Sequence, residues 1–265
     1  MLTTRLATLA DYADCARLFP ELGVPDPVFT AEQFATRLLP RVVVAEADGR
    51  TVGYASWRLY GLTAHVVHVV ADPAARRRGV GRALVGAVRE HVADAGCSRW
   101  YLNVKRNNAV AIRLYQRAGM TVELESTSVQ LPWAKVEELP RPAGPIGAFA
   151  PSPADDAAIA ARFAIPVERV TAQRTRPGYV AAGVREGGVV AAFATFDPDY
   201  PGAYPFCATR PDLARPLLEA LQPHALPDRG ETLFVSVEGN APLAGVLVDA
   251  GARVLFELYR MSAPL

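Results

Sequence analysis

The residues whose types and spacing point most directly to chemistry are Arg76-Arg77-Arg78-Gly79-Val80-Gly81-Arg82. They follow a β-branched run, Val66 to Val70, that breaks at Asp72-Pro73, and a helical pattern begins as they end. The order predicts a strand, a tight glycine-containing loop and a helix. Glycines let a backbone approach a ligand closely, and the first N–H groups of a helix have no intrahelical partner. Together with the helix dipole and the arginines, they favour a phosphate or pyrophosphate. The loop reads as an anion cradle. It has neither the Lys-Ser/Thr ending of a P-loop nor the three-glycine dinucleotide fingerprint.

Other elements must surround that cradle. Trp100-Tyr101-Leu102-Asn103-Val104 reads as a strand, and Asn108-x-x-Ala111-Ile112-x-Leu114-Tyr115-x-x-x-Gly119 as a helix. Asn108 suits its N-cap and Gly119 its C-terminal stop. His65 and His68 lie on the strand before the loop, and histidine titrates near neutrality. In a regular strand positions 65 and 68 point to opposite faces, so only a bulge would turn both to one face.

Three motifs in a fixed order resemble the GNAT N-acetyltransferase superfamily. Arg76-x-x-Gly79-x-Gly81 is similar to its acetyl-CoA pyrophosphate loop, and the Asn108 to Gly119 pattern to the helix after the next strand. Arg5-x-Ala7-Thr8-x-x-Asp11 is similar to the opening strand and the start of the first helix; the three cover roughly the first 130 residues.

The resemblance implies an acetyltransferase with acetyl-CoA as cosubstrate, no metal, and direct attack by a primary amine in a ternary complex. The amine would belong to a small molecule or a peptide. It aligns Tyr115 with the proton donor to the departing thiolate. Backbone groups at Val69, Val70 and Ala71 would bind the pantetheine arm and polarise the thioester carbonyl. Backbone N–H groups of Arg77, Arg78, Gly79, Val80, Gly81 and Arg82 would hold the pyrophosphate, with charge added by Arg76, Arg77 and Arg78. Asn108 either contacts the cosubstrate or only caps its helix. Relatives carry a glutamate base at the place of Asn103 or of His65, and asparagine is no useful proton acceptor. His65 is the leading candidate here, with His68, Glu46 and ordered water open. A reading from another class is a non-catalytic acyl-CoA-binding sensor or scaffold.

The chain also repeats itself. Hairpin signals at Asp48-Gly49 and Glu186-Gly187-Gly188 lie between similar apolar runs, and Asn240 with Ala250-Gly251 matches the offset of Asn108 with Ala118-Gly119. The second copy reads Cys207-Ala208-Thr209-Arg210-Pro211-Asp212-Leu213 where the cradle should stand, and Leu247 where Tyr115 stands. The expected architecture is mixed α/β: two tandem GNAT-like domains, each a mainly antiparallel twisted sheet flanked by helices. In the family, two central parallel strands splay apart and the cosubstrate enters the gap. The expected division is residues 1–138 for the acetyltransferase domain, 139–153 for a Pro/Gly-rich linker and 154–265 for a degenerate copy.

A net charge of +1 gives no bulk reason to expect nucleic acid or an anionic membrane as partner. Cys15, Cys97 and Cys207 show neither paired spacing nor a metal pattern, which suits a reducing compartment. No signal-peptide core or bilayer-length apolar run is present, so the expected location is the cytoplasm. The Ala, Arg and Val richness fits a high-GC bacterial source. Monomer and homodimer both remain open.

Overall fold

The computed structural model describes residues 1–24 and 26–265. Two compact units divide the chain: Met1–Glu123 with Arg260–Leu265, and Leu124–Tyr259.

The first unit begins with β1 (Leu2–Leu6), α1 (Tyr12–Leu18) and α2 (Ala31–Gln33), the last running on through a π-helical turn, Phe34–Leu38. Then come β2 (Val42–Ala47), β3 (Arg50–Tyr60) and β4 (Thr63–Ala71). The long α3 (Val80–Asp94), β5 (Arg99–Lys105) and α4 (Ala109–Arg117) follow. The strands order as β1-β2-β3-β4-β5. Neighbours are antiparallel as far as β4, which pairs with β5 in parallel. Arg5 fixes the opening strand to the first helix through a two-pronged pair with Asp11 (2.8 and 2.9 Å), and that pair holds the Asp11 carboxyl down at about 2.

Register gives the sheet two distinct faces. Val42, Val44, Tyr54 and Val70 pack on Cys15, Leu18, Phe19 and Phe34, so this face carries α1 and α2. The opposite face carries α3, and Gly53 permits its approach. A Cβ at Gly53 would lie 2.6 Å from the Val70 carbonyl oxygen and 2.7 Å from Val80 Cγ1.

The strand β6 (Thr121–Pro132) starts in the first unit and continues in the second. The second unit then repeats the order of the first. It runs β7 (Ile146–Phe149), α5 (Asp156–Phe163), α6 (Val167–Arg174), β8 (Val180–Glu186), β9 (Val189–Asp197) and β10 (Gly202–Ala208). It closes with α7 (Ala214–Leu221), β11 (Thr232–Glu238), α8 (Ala241–Asp249) and β12 (Arg253–Pro264), whose last residues belong to the first unit. β10 and β11 are again parallel. Within the Pro/Gly-rich stretch, residues 146–149 form β7 and pair antiparallel with β8. The backbone amides of that short apolar run find partners at a sheet edge rather than in water.

Candidate active site

The site begins where β4 and β5 part. Their parallel pairing runs from Thr63↔Arg99 to Val66↔Leu102, after which β4 continues to Ala71 and β5 to Lys105. At the same point β4 bulges. Ser56 faces His68 while Trp57 faces Val66, leaving Val67 as the extra residue. A bulge inserts one residue and bends its strand. It also resets the alternation, so His65 and His68 share the face that carries α1 and α2, and the regular-strand expectation of opposite faces fails for that reason.

Past the bulge the chain forms the cradle. Asp72 accepts from the Ala74 N–H (2.9 Å) and Pro73–Ala75 make a tight helical turn. Arg77 (φ 64°) and Gly79 (φ 87°) both adopt the left-handed region. Only the glycine does so without a Cβ penalty. The first bond of α3 runs from the Ala83 N–H to the Gly79 carbonyl (3.0 Å), which places the N–H groups of Val80, Gly81 and Arg82 at the open end of the helix. Gly81 seats that end against the neighbouring helix, since a Cβ there would lie 3.0 Å from Leu114 Cδ2.

A cavity of about 1080 Å³ occupies this region. Val69, Val70, Ala71, the cradle from Arg76 to Arg82 except Arg78, Asn108 and Tyr115 all border it. Burial pushes the Tyr115 phenol up to about 12, so it keeps its proton at neutral pH. Asn108 caps α4, its Oδ1 accepting from the Ala111 N–H at 3.1 Å. Arg76 is held by Glu21 at 2.6 Å, a partner 55 residues away that spacing could not reveal. These donors and this volume suit a pyrophosphate with an extended arm.

The base candidates lie elsewhere. The His65 ring stacks on Tyr101 with centroids 4.4 Å apart, and His65 does not border the cavity. His68 sits edge-on between Phe19 and Tyr54, and burial, aided by the charge of Arg58, lowers it to about 4. Glu46 is taken by Arg5 at 2.6 Å. Asn103, the first β5 residue past the last parallel pair, has a buried Oδ1 that accepts no hydrogen bond among the described residues. Among those residues no group of His, Cys, Asp or Glu could hold a metal ion, and no helix is long and apolar enough to cross a membrane.

Residues 8–120 match the family model described as Acetyltransferase (GNAT) family. The chain is 35% identical over 79 residues to a mycothiol acetyltransferase of Thermomonospora curvata, covering 29% of this chain and 27% of that protein. It is 36% identical over 119 residues to an uncharacterised protein of Mycobacterium leprae, covering 42% of this chain and 32% of that one. The chain thus spans about a third or less of the length of these curated relatives. Two solved structures share its fold along nearly the whole chain. One is a GCN5-related N-acetyltransferase from Sphaerobacter thermophilus (TM-score 0.68, 17% identity, 99% of this chain and 95% of that one). The other is a tandem GNAT protein from the clavulanic acid biosynthesis pathway (TM-score 0.63, 18% identity, 100% and 98%).

Proposed function

We propose that this chain, whose residues 8–120 belong to the GNAT acetyltransferase family, moves an acetyl group from acetyl-CoA to a primary amine by direct attack in a ternary complex. The observation that carries the reading is the single cavity wall shared by the cradle, the end of β4 and protonated Tyr115. The likeness to a mycothiol acetyltransferase supports a small-molecule acceptor, and a peptide amine fits as well. We assign the chemistry to the repeat within residues 1–138 and none to the degenerate repeat within 154–265.

Acetyl-CoA, when bound, supplies a thioester carbon open to a neutral amine and a sulfur that leaves as a thiolate. The N–H groups of Val80, Gly81 and Arg82 take the pyrophosphate charge, with Arg77 and Arg78 adding to the field. Main-chain groups from Val69 to Ala71 orient the arm and polarise the carbonyl. Tyr115 holds the proton that neutralises the departing sulfur, whose reference pKa is about 8.5. A free alkyl amine has a pKa of about 10.4 and must shed a proton before attack. We assign that proton to His65, directly or through water, because His68 is too weak a base and Glu46 is occupied by Arg5.

The test is CoA release from acetyl-CoA across a panel of primary amines, comparing the parent with Tyr115→Phe. The expected result is amine-dependent release whose kcat falls roughly 100-fold in the variant. Tight acetyl-CoA binding without release from any amine would replace the enzyme reading with that of an acyl-CoA sensor. No acetyl-CoA binding would remove both.

A further inference from the structure

The acceptor must approach the splayed strands from the face opposite α3, and that face carries a row of side chains set by register. Arg58 on β3 lies beside His65 on β4, and His65 beside Tyr101 on β5. The guanidinium carbon of Arg260 lies 4.6 Å from the Tyr101 ring centroid. The stacked histidine and tyrosine are thus flanked by a cation on each side.

Arg58 differs from its neighbours in one respect. Elsewhere in this unit Arg5 pairs with Asp11 and Glu46, Arg17 with Asp14 and Asp72, Arg76 with Glu21 and Arg99 with Glu123. Arg58 is half-buried, and among the described residues no carboxylate pairs with it. A partly desolvated guanidinium with no counter-charge is costly, and an anion arriving with the ligand removes that cost. Two unpartnered polar atoms share the face: His68 Nδ1 and the Asn103 Oδ1 at the mouth of the splay. An amide oxygen can only accept, so it calls for an N–H donor.

Resting on the acetyltransferase reading, we infer that the acceptor is an anionic amine. Arg58 takes its carboxylate or phosphate, and Asn103 Oδ1 accepts a hydrogen bond from its nitrogen. Guanidinium geometry suits either anion, since both offer two oxygens to its fork. Arg58 is therefore a specificity-determining residue, outside the acyl-transfer machinery itself.

The experiment compares matched pairs in the CoA-release assay: β-alanine against its amide, L-alanine against its amide, and O-phosphoethanolamine against ethanolamine. An amide lowers the basicity of its amine and leaves more of it neutral, so chemistry alone favours the uncharged member of the amino-acid pairs. The expected result is a preference for the anionic member of roughly 10- to 100-fold in kcat/KM, carried mainly by KM. The carboxylate and phosphate pairs show which anion fits. Arg58→Gln should bring the ratio toward unity, and Arg58→Lys should retain part of it. The ratio is internal to each protein, so a general loss of folded enzyme does not mimic the effect. Bound acetyl-CoA with no anionic preference, with no acetylation of any anionic amine, or with a ratio unmoved by Arg58→Gln would overturn the inference alone. Failure to bind acetyl-CoA would overturn the function on which it rests.

Discussion

The end of β4 and the end of β10 occupy the same place in two copies of one fold, and only one leads into an open cleft. The correspondence is fixed by backbone bonds: the Asp72 N–H donates to the Val52 carbonyl and the Thr209 N–H to that of Ala191, each at 2.9 Å. In the first unit a left-handed loop then opens α3, of 15 residues. In the second, a turn at Pro211–Leu213 passes directly into α7, of 8 residues, with Arg210 tied to Asp212 at 3.0 Å. The asparagines differ too. Asn108 only caps, whereas Asn240 caps with Oδ1 and uses Nδ2 to hold the Ala208 carbonyl at 3.0 Å. Asn240 ties the end of β10 to the start of α8, where the first unit leaves Ala71 and Asn108 on the wall of a cavity. A binding gap is thus kept by withholding hydrogen bonds that the fold can make, and filled when they are made.

Writing the second unit's carboxylate into the first should break this contrast most severely. Gly81→Asp sets a negative charge at the open end of α3, against a pyrophosphate. The Cβ meets only the mobile end of Leu114, so the fold should persist. Calorimetric titration should show acetyl-CoA affinity reduced roughly 100-fold or more. An unchanged affinity would place the ligand elsewhere.

Acid should separate the units next. His68 is held at about 4, against about 6.5 in an unfolded chain, while Pro205 stands at its register in the second unit. The unfolded chain therefore takes up the proton first as pH falls. The stability from burying neutral His68 is complete above pH 6.5 and lost between there and pH 4, on the order of 1–2 kcal/mol. Denaturant unfolding across that window should show this loss in the parent and lack it in His68→Phe.

The smallest effect compares the two caps. Asn108→Ala should cost about 0.5–1 kcal/mol, the usual value of an N-cap. Asn240→Ala should cost about 1 kcal/mol more, because it also strips the donor from the Ala208 carbonyl. Equal losses would mean that the bond to Ala208 contributes nothing and that the second gap is closed by packing alone.

The cradle was legible because its requirements are local: positive φ needs glycine, a helix end needs donors, and both lie within a few consecutive residues. Tyr115 and Asn108 were legible for the same reason, as positions on one short helix. The repeat could be read from hairpin glycines and the two Asn-to-Gly intervals. Beyond reach were the shared face of His65 and His68, the ion pair of Arg76 with Glu21 and the isolation of Arg58. A single bulge at Val67 inverts every side-chain direction before it relative to those after it, and the sequence carries no mark of it. The strand assignment of residues 146–149 was hidden too, since an edge strand is defined by the partner it pairs with.

By itself, then, the sequence determined the order of elements, the anion-binding loop and which copy retained it, because each is written in the backbone preferences of neighbouring residues. The tertiary structure alone decided which side chains line the cavity, which histidine is driven neutral and which arginine lacks a counter-charge, because those depend on cross-strand register and on burial among residues distant in the chain.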